Sequence, residues 1–133
     1  MKVIIDSNVW ISFLLGFQKE LMHDVLMNEH IEVYVCSQLM HEIQDVVTRP
    51  KIQNRVNEAD TEMLFRIIKM YCANTEIKQC ATTHVRDEKD VYLLSLSQTI
   101  KADYIITGDN DLVVIEEYKG TKIVTPAQFR SIL

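Results

Sequence analysis

Two short apolar runs, each followed by a carboxylate, constrain this chain more than any other feature. Val3-Ile4-Ile5 ends at Asp6, and Tyr104-Ile105-Ile106-Thr107 is followed, past Gly108, by Asp109. Short runs of apolar, β-branched and aromatic residues bounded by turn-forming residues read as buried strands. Such runs occupy residues 2–5, 31–36, 103–107 and 122–124, and helical patterns fill the intervals. Strands alternating with helices predict βαβ units, hence a three-layer α/β/α sandwich with a central parallel sheet. The carboxyl ends of strands in such a sheet converge on one crevice, so Asp6 and Asp109 are expected to face a common site.

Val9, Phe13, Phe17, Leu21, Met22, Val25 and Leu26 predict helix from about 8 to 28, with Gly16 placed to divide it. Ser37 stands at a helix N-cap position ahead of Leu39, Met40, Ile43, Val46 and Val47, and Pro50 closes that helix. Residues 58–71 follow as an amphipathic helix with Met63, Leu64, Ile67, Ile68 and Tyr71 on one face. Residues 88–100 form another, with Val91, Leu94 and Ile100 inward. A short helix starts near 110, and Pro126 suits the first turn of a last one. The pattern is weakest over 74–87, where a short strand is expected at 76–79 or 83–85.

The chain has 133 residues with only three Gly and two Pro, so no linker separates domains and residues 1–133 are expected to form one. The apolar run at Val3–Ile5 is too short for a signal-peptide core, and no stretch approaches the roughly 18 apolar residues of a membrane span. A cytoplasmic protein without a membrane partner is expected. Cys36, Cys72 and Cys80 are odd in number and lack a CxxC spacing, which suits reduced thiols. A net charge of −5 excludes gripping nucleic acid by global charge, though not through a local basic patch or a bound cation.

Asp6, Glu42, Asp90 and Asp109 carry the chemical argument. Each has an innocent reading alone: Asp6 as an N-cap, Glu42 and Asp90 as acids that complement a helix dipole, Asp109 and Asp111 as turn residues. Their joint placement, at strand ends or helix starts on one side of the predicted sheet, is different. Four acids in one crevice repel one another unless a cation serves them. All-oxygen ligands suit Mg²⁺ or Mn²⁺ rather than Zn²⁺. Such ions activate water and stabilise charge on a phosphoryl group.

Four segments in order resemble the PIN-domain family of metal-dependent nucleases. They are Val3-Ile4-Ile5-Asp6-Ser7-Asn8, Ser37-Gln38-Leu39-Met40-His41-Glu42, Asp87-Glu88-Lys89-Asp90-Val91-Tyr92-Leu93, and Ala102-Asp103-Tyr104-Ile105-Ile106-Thr107-Gly108-Asp109-Asn110-Asp111-Leu112. The resemblance implies catalytic and metal-binding roles for Asp6, Glu42, Asp90 and Asp109. Asn8, Thr107 and Asp111 would orient these ligands, and Asp111 also counts among the metal-contacting acids. The resemblance runs further to toxins of bacterial toxin–antitoxin pairs. It implies an Mg²⁺- or Mn²⁺-dependent ribonuclease that attacks the RNA phosphate in line with activated water and leaves a 3′-hydroxyl and a 5′-phosphate. It also implies a small antitoxin partner and a homodimer. A housekeeping RNA-processing nuclease, or a PIN-like interaction module without turnover, stays open as an alternative. Two motifs depart from the family pattern: Ser7 stands for the commoner Thr, and Val91-Tyr92 replaces an acid or Pro followed by Phe.

Other motifs are weaker. His41-Glu42-Ile43-Gln44-Asp45 begins like a zinc-protease HExxH, but Asp45 takes the place of the second His. An aspartyl-phosphate phosphatase needs a second Asp two residues after the first, where Asn8 stands. A phospho-acceptor signalling domain needs an acceptor Asp on a central strand, whereas the second strong strand ends at Cys36-Ser37. Arg49, Lys51 and Arg55, with Arg86 and Lys89, could meet an RNA backbone, but the simpler reading for each is a solvated face. Trp10 is expected in the core.

Overall fold

The computed structural model describes residues 1–79, 81 and 88–133, with the backbone alone at Glu88 and Lys89. The elements run β1 (Lys2–Ile5), α1 (Ser7–Leu14), α2 (Lys19–Leu26), β2 (Glu32–Val35), α3 (Ser37–Val47), α4 (Pro50–Gln53), α5 (Glu58–Tyr71) and β3 (Cys72–Asn74). They continue with α6 (Glu88–Ile100), β4 (Tyr104–Ile106), α7 (Asn110–Val113), β5 (Glu117–Tyr118), β6 (Thr121–Val124) and α8 (Pro126–Ile132). The strands form one sheet in the order β3-β2-β1-β4-β6-β5. Every pairing is parallel except β5 with β6.

Consecutive buried side chains make the central strands. Val3, Ile4 and Ile5 are fully buried, as are Ile105 and, very nearly, Ile106. A strand buried at successive residues has both faces covered, which is the condition a parallel sheet with helices on both sides imposes. On one side α1 packs against α3 and α5, while α6 packs on β1 and β4 and α8 on β6. The sheet is therefore the middle of three layers. Among the described residues, no helix is long and apolar enough to cross a membrane.

Gly16 does divide the first helical stretch, and the hydrogen bonds show how. Its N–H donates to the Phe13 carbonyl at 3.0 Å and the Phe17 N–H to Ser12 at 2.8 Å, a pairing that requires a left-handed residue after the C-cap. Gly16 supplies it, at φ 98°. Two capping boxes start α5 and α8, from Asn57 with Asp60 and from Thr125 with Gln128.

Several expectations shift. The N-cap of α3 is Cys36 rather than Ser37, whose hydroxyl donates to Gln38. Pro50 stands at the first turn of α4 instead of merely closing α3, which already ends at Val47. Phe17 is 57% exposed, and Met63 and Tyr71 also face outward, so the buried face of α5 narrows to Leu64 and Ile68. No strand occupies 76–79; the third strand lies earlier, at Cys72–Asn74, and the alternative at 83–85 lies outside the described residues. The sheet also gains an antiparallel edge strand, β5.

Candidate active site

The strand order places a switch at its centre. From β1 the chain moves to β2 on one side, and later returns to β4 on the other. Crevices open where crossovers diverge, outside the carboxyl ends of the two strands. Ile5 pairs with Ile106 at those ends, and the Asp6 N–H donates to the Ile106 carbonyl at 2.9 Å. Asp6 and Thr107 thus leave the sheet side by side.

Asp6 is 4% exposed and caps α1. Its Oδ1 accepts from the Ser7 N–H at 2.7 Å and more distantly from the Ser7 hydroxyl at 3.4 Å. Oδ2 accepts from the Thr107 hydroxyl at 2.7 Å and from Asn8 Nδ2 at 3.0 Å. The same Thr107 Oγ1 accepts the Asp109 N–H at 3.0 Å, and Asn8 Oδ1 accepts the Gly108 N–H at 3.0 Å. Asp109 in turn caps α7 by accepting the Asp111 N–H at 2.9 Å. Four residues from one strand end and three from the other are thereby locked in one lattice of hydrogen bonds.

The other acids arrive on helices. Glu42 lies half-buried on α3, the helix that follows β2. Asp90 is buried in the first turn of α6, the helix that leads into β4. Tyr92, two residues on, donates its hydroxyl to Glu42 Oε2 and so ties α6 to α3. That tyrosine was not among the expected site residues. Asp111 is exposed, and its contribution to the lattice is its backbone N–H rather than its carboxylate. Asp87 and Arg86 lie outside the described residues, as does the side chain of Lys89.

The electrostatics join Asp6, Glu42 and Asp109. Burial raises the Asp6 carboxyl above the usual carboxylate range; the Thr107 hydroxyl and Ser7 N–H pull it back, and the negative charges of Glu42 and Asp109 raise it again. The ion pairs among the described residues, His23–Asp24, Arg49–Asp45 and Arg130–Glu20, all lie elsewhere on the surface. Among the described residues, the acids that act on Asp6 therefore form no ion pair with a cationic side chain, and their donors are all hard oxygens. That chemistry fits a divalent cation of the Mg²⁺ type. Among the described residues, no three acid, His or Cys side chains stand close enough to hold an ion as placed, so the fit is one of donor type and charge.

Comparison with known proteins gives the chain's family and fold neighbours. The model of the PIN domain matches residues 2–111, which include Asp6, Glu42, Asp90 and Asp109. No curated protein matches the chain significantly. Among solved structures it resembles VapBC2 from Rickettsia felis, crystallised bound to a DNA fragment from their promoter, with a TM-score of 0.62 at 10% identity over 94% of this chain and 98% of that one. PAE2754 from Pyrobaculum aerophilum is similar at a TM-score of 0.59 and 10% identity, covering 99% of this chain and 88% of its own. The PIN domain of T. brucei RRP44 gives a TM-score of 0.51 at 15% identity over 97% and 78%. Identities this low speak for a shared fold.

Proposed function

This chain belongs to the PIN-domain family, and from that premise we propose that it is a divalent-metal-dependent endoribonuclease, the toxin of a toxin–antitoxin pair. The single observation that carries the reading is the buried Asp6 carboxylate, set at the switch between β1 and β4 with Glu42 and Asp109 acting on it and, among the described residues, no ion pair offsetting them. A chain that buries negative charge in this way gains most from binding a cation there. Asp6, Glu42, Asp90 and Asp109 would hold Mg²⁺ or Mn²⁺, with Asp111 at the rim. When bound, the ion supplies Lewis acidity and a nucleophilic water for phosphodiester hydrolysis.

The chain's own groups do the rest. Thr107 and Asn8 fix both the height and the rotation of Asp6 through Oδ2, and Thr107 sets Asp109 by accepting its N–H. Ser7 occupies Oδ1 from the backbone side. Arg49, Lys51 and Arg55 are exposed at and after the end of α3, where they would meet the phosphates of an RNA strand. The R. felis likeness favours the toxin reading and a small DNA-binding partner over a housekeeping nuclease. A homodimer and a cytoplasmic location belong to the same proposal.

The test is cleavage of a labelled RNA with Mg²⁺ or Mn²⁺, with chelator, and with Asp6→Asn. Metal-dependent cleavage that drops about a thousandfold in Asp6→Asn is expected, since the cation's share of the barrier is several kcal/mol. Cleavage that survives chelator, or full activity of Asp6→Asn, overturns the mechanism. Metal-loaded protein that cuts no RNA turns the reading toward an interaction module. Growth arrest on expression, relieved by the product of an adjacent reading frame, separates a toxin from a housekeeping enzyme.

A further inference from the structure

We infer that Tyr92 is a positioning residue for Glu42: its hydroxyl occupies Oε2 and leaves Oε1 as the oxygen this carboxylate offers to the site. The inference rests on the reading of the four acids as cation ligands. It is carried by a contrast in how the acids are held. Asp6 has a short side chain and accepts from Ser7, Asn8 and Thr107. Glu42 has one more rotatable bond, rises from a helix, and among the described residues its side chain makes a single hydrogen bond, the one from Tyr92. Immobilising a free Glu side chain costs rotamer entropy. A half-buried ring with two torsions is a stiff donor that removes part of that freedom beforehand.

The hydroxyl matters here rather than the ring. Phenylalanine at this place would fill the same space and donate nothing. A protonated donor on Oε2 also draws off part of the negative charge that Glu42 presents to Asp6. A tyrosine hydroxyl is protonated at neutral pH and so is present as a donor; burial first, and then Glu42, act in the same direction. Tyr92 is half-buried, so its hydroxyl is not freely solvated.

The test is Tyr92→Phe in the full chain, read by Mn²⁺ titration through water-proton relaxation and by ¹³Cζ-tyrosine NMR. Removing a group that orients a metal ligand is expected to weaken Mn²⁺ binding about tenfold, with an unchanged far-UV circular dichroism spectrum. The Tyr92 resonance, assigned by its loss in Tyr92→Phe, should move when Glu42→Gln is introduced, a response that a merely packed ring would not give. Mn²⁺ affinity in Tyr92→Phe equal to or tighter than wild type overturns the inference, as does a Tyr92 resonance indifferent to Glu42→Gln. A wild type that binds no Mn²⁺ overturns the cation reading and this inference with it, and that failure is visible before any variant is compared.

Discussion

The crevice has two unlike halves. One is built on strand ends: Asp6 and Asp109 hang from β1 and β4, and Thr107 and Asn8 stitch them together through side-chain and backbone hydrogen bonds. The other is built on helices: Glu42 on α3 and Tyr92 on α6 meet through one hydroxyl–carboxylate bond. Strand ends joined by a ladder cannot shift singly, whereas the Glu42 side chain on its helix is held by one hydrogen bond among the described residues. The strand half is therefore the more tightly tied of the two.

The sharpest way to break this comparison is Thr107→Val. It keeps the volume of a fully buried side chain but deprives Asp6 Oδ2 and the Asp109 N–H of a shared partner. Each group left unsatisfied costs about 1–3 kcal/mol, so urea denaturation should show a loss of that order, larger than for Tyr92→Phe. Equal losses would mean that the halves are equally tied.

A second prediction concerns pH in the metal-free protein. Burial holds the Asp6 proton more tightly in the folded chain than in the unfolded one. Stability from this group is then fully present below the ordinary carboxylate value and is lost as pH rises through the raised folded value. Asp6→Asn, which carries no charge to desolvate, should be the more stable of the two near neutrality, with the gap closing as pH falls. A gap that widens in acid would contradict the burial of charge on which the strand half depends.

The smallest effect is expected at Gly108. Its φ is not positive, and a Cβ there would meet only Asn8 Oδ1 at 3.5 Å and Asn8 Cγ at 3.9 Å, ordinary contacts. Gly108→Ala should change the denaturation midpoint by no more than about 0.5 kcal/mol in equivalent stability. A larger loss would show that the lattice tolerates less than its distances suggest.

Much of this was legible in the chain itself. Val3-Ile4-Ile5 and Tyr104-Ile105-Ile106 announced strands because their residues are buried on both faces, and burial is what composition records. Cys72-Ala73-Asn74 was not legible, because an edge strand that is half exposed carries no apolar signature. β5 was missed for a similar reason, although Lys119-Gly120, with φ of 46° and 89°, is the two-residue turn that joins it to β6. In the crevice, Asp6, Glu42, Asp90 and Asp109 stood out by their positions after strands and at helix starts. Tyr92 did not, since its partner lies 50 residues away and only the packing of α6 beside α3 makes them neighbours.

The bond from Thr107 to Asp6 spans 101 positions of the chain. During synthesis, β1 emerges long before the strand it must pair with, and contacts so distant in sequence form late and slowly. Nothing resembling the crevice can exist on the nascent chain until residues past Asp109 have left the ribosome. A site that needs both strand ends therefore comes into being only after most of the chain has been made.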